Sequence, residues 1–207
     1  MNDSARHGDA PLAQIQPNAR FDVAGLTAFL RREVAPFDGA LEVQQFLGGQ
    51  SNPTYRVRAG EQVYVMRKKP EGILLPSAHA IDREYRAMQA MAQAGLPVPR
   101  MRAFCDDAQV IGQAFYVMDY VEGRVFHDRA LPGCSPAERS ALYGSMVENL
   151  AKLSQVDPAA VGLEGFGRPG GYIARQVARW SKQYLASGLE PCAAMDRLIA
   201  WLPAHVP

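Results

Sequence analysis

Leu41-Glu42-Val43-Gln44-Gln45-Phe46-Leu47-Gly48-Gly49-Gln50-Ser51-Asn52-Pro53-Thr54-Tyr55-Arg56-Val57-Arg58-Ala59-Gly60-Glu61-Gln62-Val63-Tyr64-Val65-Met66-Arg67 is the stretch on which the reading of this chain turns. Its alternation of apolar and polar residues predicts three short strands in succession, over 41–47, 54–58 and 62–68. Gly60-Glu61 fits the two-residue turn of a hairpin between the second and third. The Gly48-Gly49-Gln50-Ser51-Asn52 turn between the first and second exposes backbone N–H groups with little side chain in the way. Such a concavity of donors suits an anionic group. Because strand side chains alternate, Val63, Val65 and Arg67 share one face, and Tyr64, Met66 and Lys68 the other.

Working outward, residues 22–34 predict a helix capped by Asp22, with Leu26, Phe29, Leu30 and Val34 as its stripe and Pro36 beyond its end. A second helix is expected over 77–94, with Ser77 as cap and Gly95 and Pro97 as the stop. Ile81, Tyr85, Met88 and Ala92 form its apolar face. Glu84, three residues after Ile81 and four before Met88, falls within that face, so its carboxylate needs a partner. Strands are expected over 101–105 and 114–121, separated by Asp106-Asp107 and Gly112. From Ser135 the pattern is helical. Ser135-Pro136-Ala137-Glu138 reads as a capping box with proline in the first turn, opening a helix to about Val156. Residues 172–186 form an amphipathic helix and 192–202 a shorter one.

The charge balance is close to even, +1 over 207 residues, which provides no field for nucleic acid or an anionic membrane surface. Three cysteines, none in a Cys-x-x-Cys pair, argue against a disulfide framework or a zinc site and lead to the expectation of a cytoplasmic protein. No apolar run is long enough for a membrane span. Residues 1–20 are polar and are expected to be a disordered leader.

Six stretches together carry a resemblance: Leu47 to Tyr55 (LGGQSNPTY), Tyr64 to Pro70 (YVMRKKP), Asp82 to Met88 (DREYRAM), Gly95 to Pro99 (GLPVP), Phe115 to Gly123 (FYVMDYVEG) and Gly171 to Trp180 (GYIARQVARW). In this order and spacing the chain resembles the aminoglycoside phosphotransferase/choline kinase-like family of the protein-kinase-like superfamily. Within it, the chain is most similar to phosphotransferase domains associated with acyl-CoA dehydrogenases. The resemblance implies an α+β, protein-kinase-like fold with a five-stranded antiparallel N-lobe carrying one inserted helix, then the start of a helical C-lobe. The implied division is a leader (1–20), a nucleotide-binding N-lobe (21–121), and a hinge with the first C-lobe helices (122–207).

The same resemblance implies that ATP is held by this chain. Gly48, Gly49, Ser51 and Asn52 would form the loop over the phosphates. Arg67, where the superfamily usually has lysine, would pair with Glu84 and reach the α/β-phosphates; Lys68 is the alternative if the strand slips by one residue. Val65, Val117 and Met118 would face the adenine, with the backbone of Asp119 and Val121 bonding its edge. Tyr172, Arg175 and Gln176 are candidates for the acceptor side.

A phosphotransferase of this kind needs a His-Gly-Asp catalytic loop, an asparagine after it and a further aspartate to hold magnesium (Mg2+). No such segment is found in 1–207 beyond His7-Gly8-Asp9, which lies in the polar leader with Gln14 where the asparagine is required. The catalytic residues and metal ligands are therefore expected beyond residue 207, and the chain alone is expected to be inactive. The alternative is a non-catalytic nucleotide-binding or scaffold module. Uncovered apolar faces on the late helices are expected to favour self-association.

Overall fold

A computed structural model describes residues 11–15, 20–47, 52–72, 80–126, 128–167, 170–188, 190 and 192–206. It divides into two compact units, Met1–Leu163 and Glu164–Pro207. The first is built on an antiparallel sheet of six strands: β1 (Leu12–Ala13), β2 (Leu41–Phe46), β3 (Thr54–Ala59), β4 (Gln62–Lys68), β5 (Met101–Cys105) and β6 (Phe115–Asp119). Their order across the sheet is β1-β2-β3-β4-β6-β5. The helices of this unit are α1 (Val23–Glu33), α2 (Ile81–Gln93), α3 (Ala108–Ile111) and α4 (Pro136–Ser154).

Two differences from the expected architecture concern short elements. The sheet has six strands rather than five, because Leu12 and Ala13 pair with Phe46 and Gln45. These two residues lie in the stretch expected to be a disordered leader. A two-residue strand carries no alternation that could mark it in a sequence, and it forms here because the edge of β2 offers unpaired backbone groups. The Asp106–Gly112 connection holds α3. Asp107 caps it by accepting from the Gln109 N–H, and Gly112, at φ 86°, ends it in the left-handed conformation. Side chains and backbone thus close a single turn that is too short to show helical periodicity.

The sheet has one face devoted to the core. Tyr55, Val57, Tyr64, Met66, Phe115 and Val117 alternate onto it and pack with Leu26, Phe29 and Leu30 of α1. Phe29 and Phe115 meet edge to face with centroids 5.0 Å apart. The N-terminal turn of α1 passes close to α3: a Cβ on Gly25 would run into the Val110 carbonyl oxygen. Glycine is the residue that permits this approach.

Lys68 belongs to the same face as Tyr64 and Met66 and is 1% exposed. Its ammonium lies 3.0 Å from Glu71 Oε1 and 5.7 Å from the centroid of the Phe21 ring. A buried lysine needs such partners. The strand therefore has the register in which Arg67, and not Lys68, faces α2.

α4 begins as expected. Ser135 Oγ accepts from the Glu138 N–H at 3.2 Å, and Glu138 Oε2 accepts from the Ser135 N–H at 2.9 Å. α2 begins at Ile81 after Ala80, which makes no side-chain cap; the predicted cap, Ser77, lies outside the described residues. The second unit consists of α5 (Tyr172–Leu185), α6 (Ala193–Trp201) and a 3-10 turn (Leu202–Ala204). Among the described residues no helix is long and apolar enough to cross a membrane.

Candidate functional site

The face of the sheet opposite the α1 core carries the candidate site. In the antiparallel register Thr54 stands opposite Arg67, while Arg67 stands opposite Tyr116 and Val65 opposite Met118. Residues paired in this way project to the same side, so Thr54, Val65, Arg67, Tyr116 and Met118 form one patch. α2 packs over its upper part. Tyr85 lies with its ring centroid 5.5 Å from that of Phe104 and 6.1 Å from that of Tyr116. This contact brings Glu84, one residue before Tyr85, against the strands.

Glu84 is the centre of a four-residue network. Its Oε2 is 2.9 Å from Arg67 Nε and accepts a hydrogen bond from the Tyr116 hydroxyl at 3.1 Å. Its Oε1 accepts from Asn52 Nδ2 at 3.1 Å. The carboxylate that looked out of place in an apolar helical face is thus satisfied from three separate strands or turns. Burial first, and then the Glu84 charge, hold the Tyr116 phenol above its ordinary range. The hydroxyl therefore stays protonated and remains a donor to the carboxylate.

Arg67 keeps donor capacity in reserve. Nη1 donates to Thr54 Oγ1 at 3.3 Å. Nε is buried and, among the described residues, lacks an aligned hydrogen-bond acceptor, although Glu84 lies within ion-pair distance. The pair is held by charge rather than by a well-directed N–H···O bond. A guanidinium with five donors can hold Glu84 and still present N–H groups to an anionic oxygen.

Of the residues expected to hold ATP, Asn52, Val65, Arg67, Glu84 and Met118 converge on this patch, whereas Val117, next to Met118 on the strand, faces the other way and is buried in the α1 core. Asn52 is 3% exposed, with its side chain bonded to Glu84 of α2. Gly48, Gly49 and Ser51 lie outside the described residues. Asp119 and Val121 lie at the end of β6 and just past it. The Asp119 N–H donates to the Arg100 carbonyl at 2.9 Å, and the Tyr120 N–H to the Val63 carbonyl at 3.3 Å. Val121 is 63% exposed.

Three residues of this region escaped the sequence reading: Thr54, Tyr116 and Arg102. The first two follow once the strands are paired, because both stand opposite Arg67. Arg102 follows from a break in pairing that no local pattern announces.

The acceptor-side candidates lie in the second unit. Tyr172 and Gln176 line a groove of about 250 Å³ between α5 and α6, with Trp180, Met195 and Leu198. Ile173, Val177 and Tyr184 of α5 line this groove as well. Arg175 turns back instead, donating to the Gly170 carbonyl at the start of its own helix. Among the described residues no group of three His, Cys, Asp or Glu side chains is placed to hold a metal ion.

Comparison with known proteins places the chain in a family. The chain is 44% identical over 204 residues to human acyl-CoA dehydrogenase family member 11, covering 97% of the chain and 26% of that protein. It is 49% identical over 169 residues to mouse acyl-CoA dehydrogenase family member 10, covering 82% of the chain and 16% of that protein. The chain thus spans about a quarter or less of the length of these relatives. A crystal structure of a provisionally named aminoglycoside phosphotransferase from Ralstonia eutropha superposes with a TM-score of 0.75 at 49% identity, over 91% of this chain and 54% of that one. That likeness carries the protein-kinase-like fold to this chain. Residues 42–207 match the model of the phosphotransferase enzyme family, and the chain belongs to that family.

Proposed function

We propose that this chain is the ATP-holding part of a small-molecule phosphotransferase, an enzyme that transfers the γ-phosphoryl group of ATP to a substrate hydroxyl. Family membership supports the reaction class. The observation that carries the assignment to particular residues is the Asn52–Glu84–Arg67–Tyr116 network, on the same sheet face as the Val65–Met118 pair. Val65 and Met118 offer an apolar surface for a flat base. Arg67 offers a fixed positive charge about two residues further along the same strand face, for phosphate oxygens. Glu84 holds the guanidinium in place, and Asn52 and Tyr116 hold Glu84.

Magnesium accompanies ATP in reactions of this family. The described residues supply no cluster of ligands for it, so its place in the reaction is assigned to no residue here. In this reading the 207-residue chain binds nucleotide without turning it over. The acceptor is a small hydroxylated molecule; the relatives named for acyl-CoA dehydrogenases favour a hydroxyacyl-CoA-like metabolite over an aminoglycoside-like one.

Calorimetric titration with ATP of the wild type and of Arg67→Ala tests the reading. Binding by the wild type with a loss of roughly tenfold or more in the variant, about 1.4 kcal/mol, is the expected result. Equal binding by both would remove Arg67 from the site, and no binding by either would favour a scaffold module. Phosphate transfer by the isolated chain at a kinase-like rate, about 1 s⁻¹ or faster, would show that its catalytic groups lie within these residues.

A further inference from the structure

β5 does not pair evenly with β6. Met101 stands opposite Met118 and Ala103 opposite Val117, so Arg102 is the extra residue of a β-bulge. A bulge redirects a side chain that regular pairing would place elsewhere. Here Arg102 forms a two-pronged ion pair with Asp119, from Nε to Oδ1 at 2.5 Å and from Nη2 to Oδ2 at 3.0 Å. Both side chains are about two-thirds buried. A bidentate guanidinium–carboxylate pair fixes orientation as well as distance.

Asp119 is the last residue of β6, at the point where the chain leaves the sheet. It stands opposite Tyr64, so its side chain belongs to the α1 face, away from Val65 and Met118. Arg102 therefore grips the segment from behind. Three further ties act on the same few residues: the Asp119 N–H on the Arg100 carbonyl at 2.9 Å and the Tyr120 N–H on the Val63 carbonyl at 3.3 Å, and the Arg56 guanidinium 5.6 Å from the Tyr120 ring centroid. A strand end held in this way has its peptide planes set before any ligand arrives, which reduces the ordering cost of binding.

Resting on the nucleotide reading above, we infer that Arg102 is a positioning residue that orients the 119–121 backbone for the base of the nucleotide. It touches no ligand and acts through Asp119. Its contribution is therefore specific to the base and leaves phosphate binding alone. A residue that merely held the sheet together would affect both.

Competition titrations of the 207-residue chain with ATP and with inorganic tripolyphosphate separate these cases. In Arg102→Ala, ATP is expected to bind about tenfold more weakly, the weight of one well-made hydrogen bond, with tripolyphosphate affinity unchanged. Arg102→Lys, which restores the charge without the fork, is expected to recover part of the loss and serves as the readout if the alanine variant does not fold. Equal weakening of both ligands, or an ATP affinity equal to that of the wild type, would overturn the positioning role. A wild type that binds tripolyphosphate as tightly as ATP would overturn it too, since no base contact would then exist to position. A wild type that binds neither would instead overturn the nucleotide reading and the inference with it.

Discussion

Asn52 donates its side-chain amide to Glu84 at 3.1 Å, so the residue two places before β3 is tied to the same carboxylate that faces Arg67. The approach to β3, helix α2 and strand β4 are thereby joined through one side chain. Asn52 is nearly inaccessible, and its loss would leave part of that carboxylate without a donor.

Replacing Asn52 by aspartate sets two carboxylates against each other in a partly buried place. Asn52→Asp is expected to destabilise the chain by about 1–3 kcal/mol at neutral pH. The defect should shrink on acidification, as one of the two carboxyl groups takes up a proton. Urea unfolding at neutral and acidic pH checks both statements; a neutral-pH midpoint equal to that of the wild type would show that the contact carries no energy.

Tyr116 makes the stability of the chain sensitive to alkali. Its phenol is held above its ordinary value of 10.0 by burial and then by Glu84. The native state therefore keeps a proton that the unfolded chain releases. The associated stability is complete below pH 10 and is lost as the pH rises towards the native-state value. Tyr55 is shifted the same way, by burial and then by Glu71. Burial raises the Tyr85 phenol as well; Tyr116→Phe removes one of these three groups, so the fall in unfolding free energy above pH 10 should become shallower by about one proton. The plateau at neutral pH should drop by about 1 kcal/mol, for the lost hydrogen bond to Glu84. Urea unfolding from neutral pH upward measures both.

Gly25 sits where α1 meets the Val110 carbonyl. Gly25→Ala puts a methyl group against backbone, which cannot swing aside as a side chain would. A loss of about 1–3 kcal/mol is expected from the forced separation of α1 and α3, against the small gain that alanine usually brings to a helix interior. Nucleotide affinity should not change, because α1 covers the face opposite Arg67. Thermal unfolding alongside ATP titration distinguishes the two effects.

α4 presents Tyr143, Met146, Val147, Leu150 and Leu153 to solvent. Together with Met91, Leu96, Pro97 and Val98 they line an apolar groove of about 600 Å³. Apolar surface of this extent on a solvent-facing helix predicts concentration-dependent association of the chain with itself. Sedimentation velocity across a concentration series should show it, and Leu150→Glu should reduce it while leaving α4 folded, since that side chain is exposed. A monomer at every concentration would refute the prediction.

Much of this was legible in the residue pattern, because the physics involved is local. Alternation marked β2, β3 and β4 close to their observed limits, and the Ser135–Glu138 capping box placed the start of α4. Glu84 could be singled out as a carboxylate in an apolar helical stripe. What the carboxylate meets is a different matter. Asn52 and Tyr116 each lie 32 residues from it, and only the packing of α2 against the sheet selects them.

The choice between Arg67 and Lys68 was of the same kind. Alternation required that they face opposite ways but could not say which faced the helix. The register of β4 between β3 and β6 decides it, directing Lys68 into the α1 face and Arg67 toward Glu84. The edge strand at Leu12–Ala13 and the bulge at Arg102 also had no sequence signal, since one is too short for a period and the other is an interruption of one. Local spacing determined the longer elements of this chain and which residues would need partners. Strand pairing and helix docking, which bring distant residues within hydrogen-bond range, decided who those partners are.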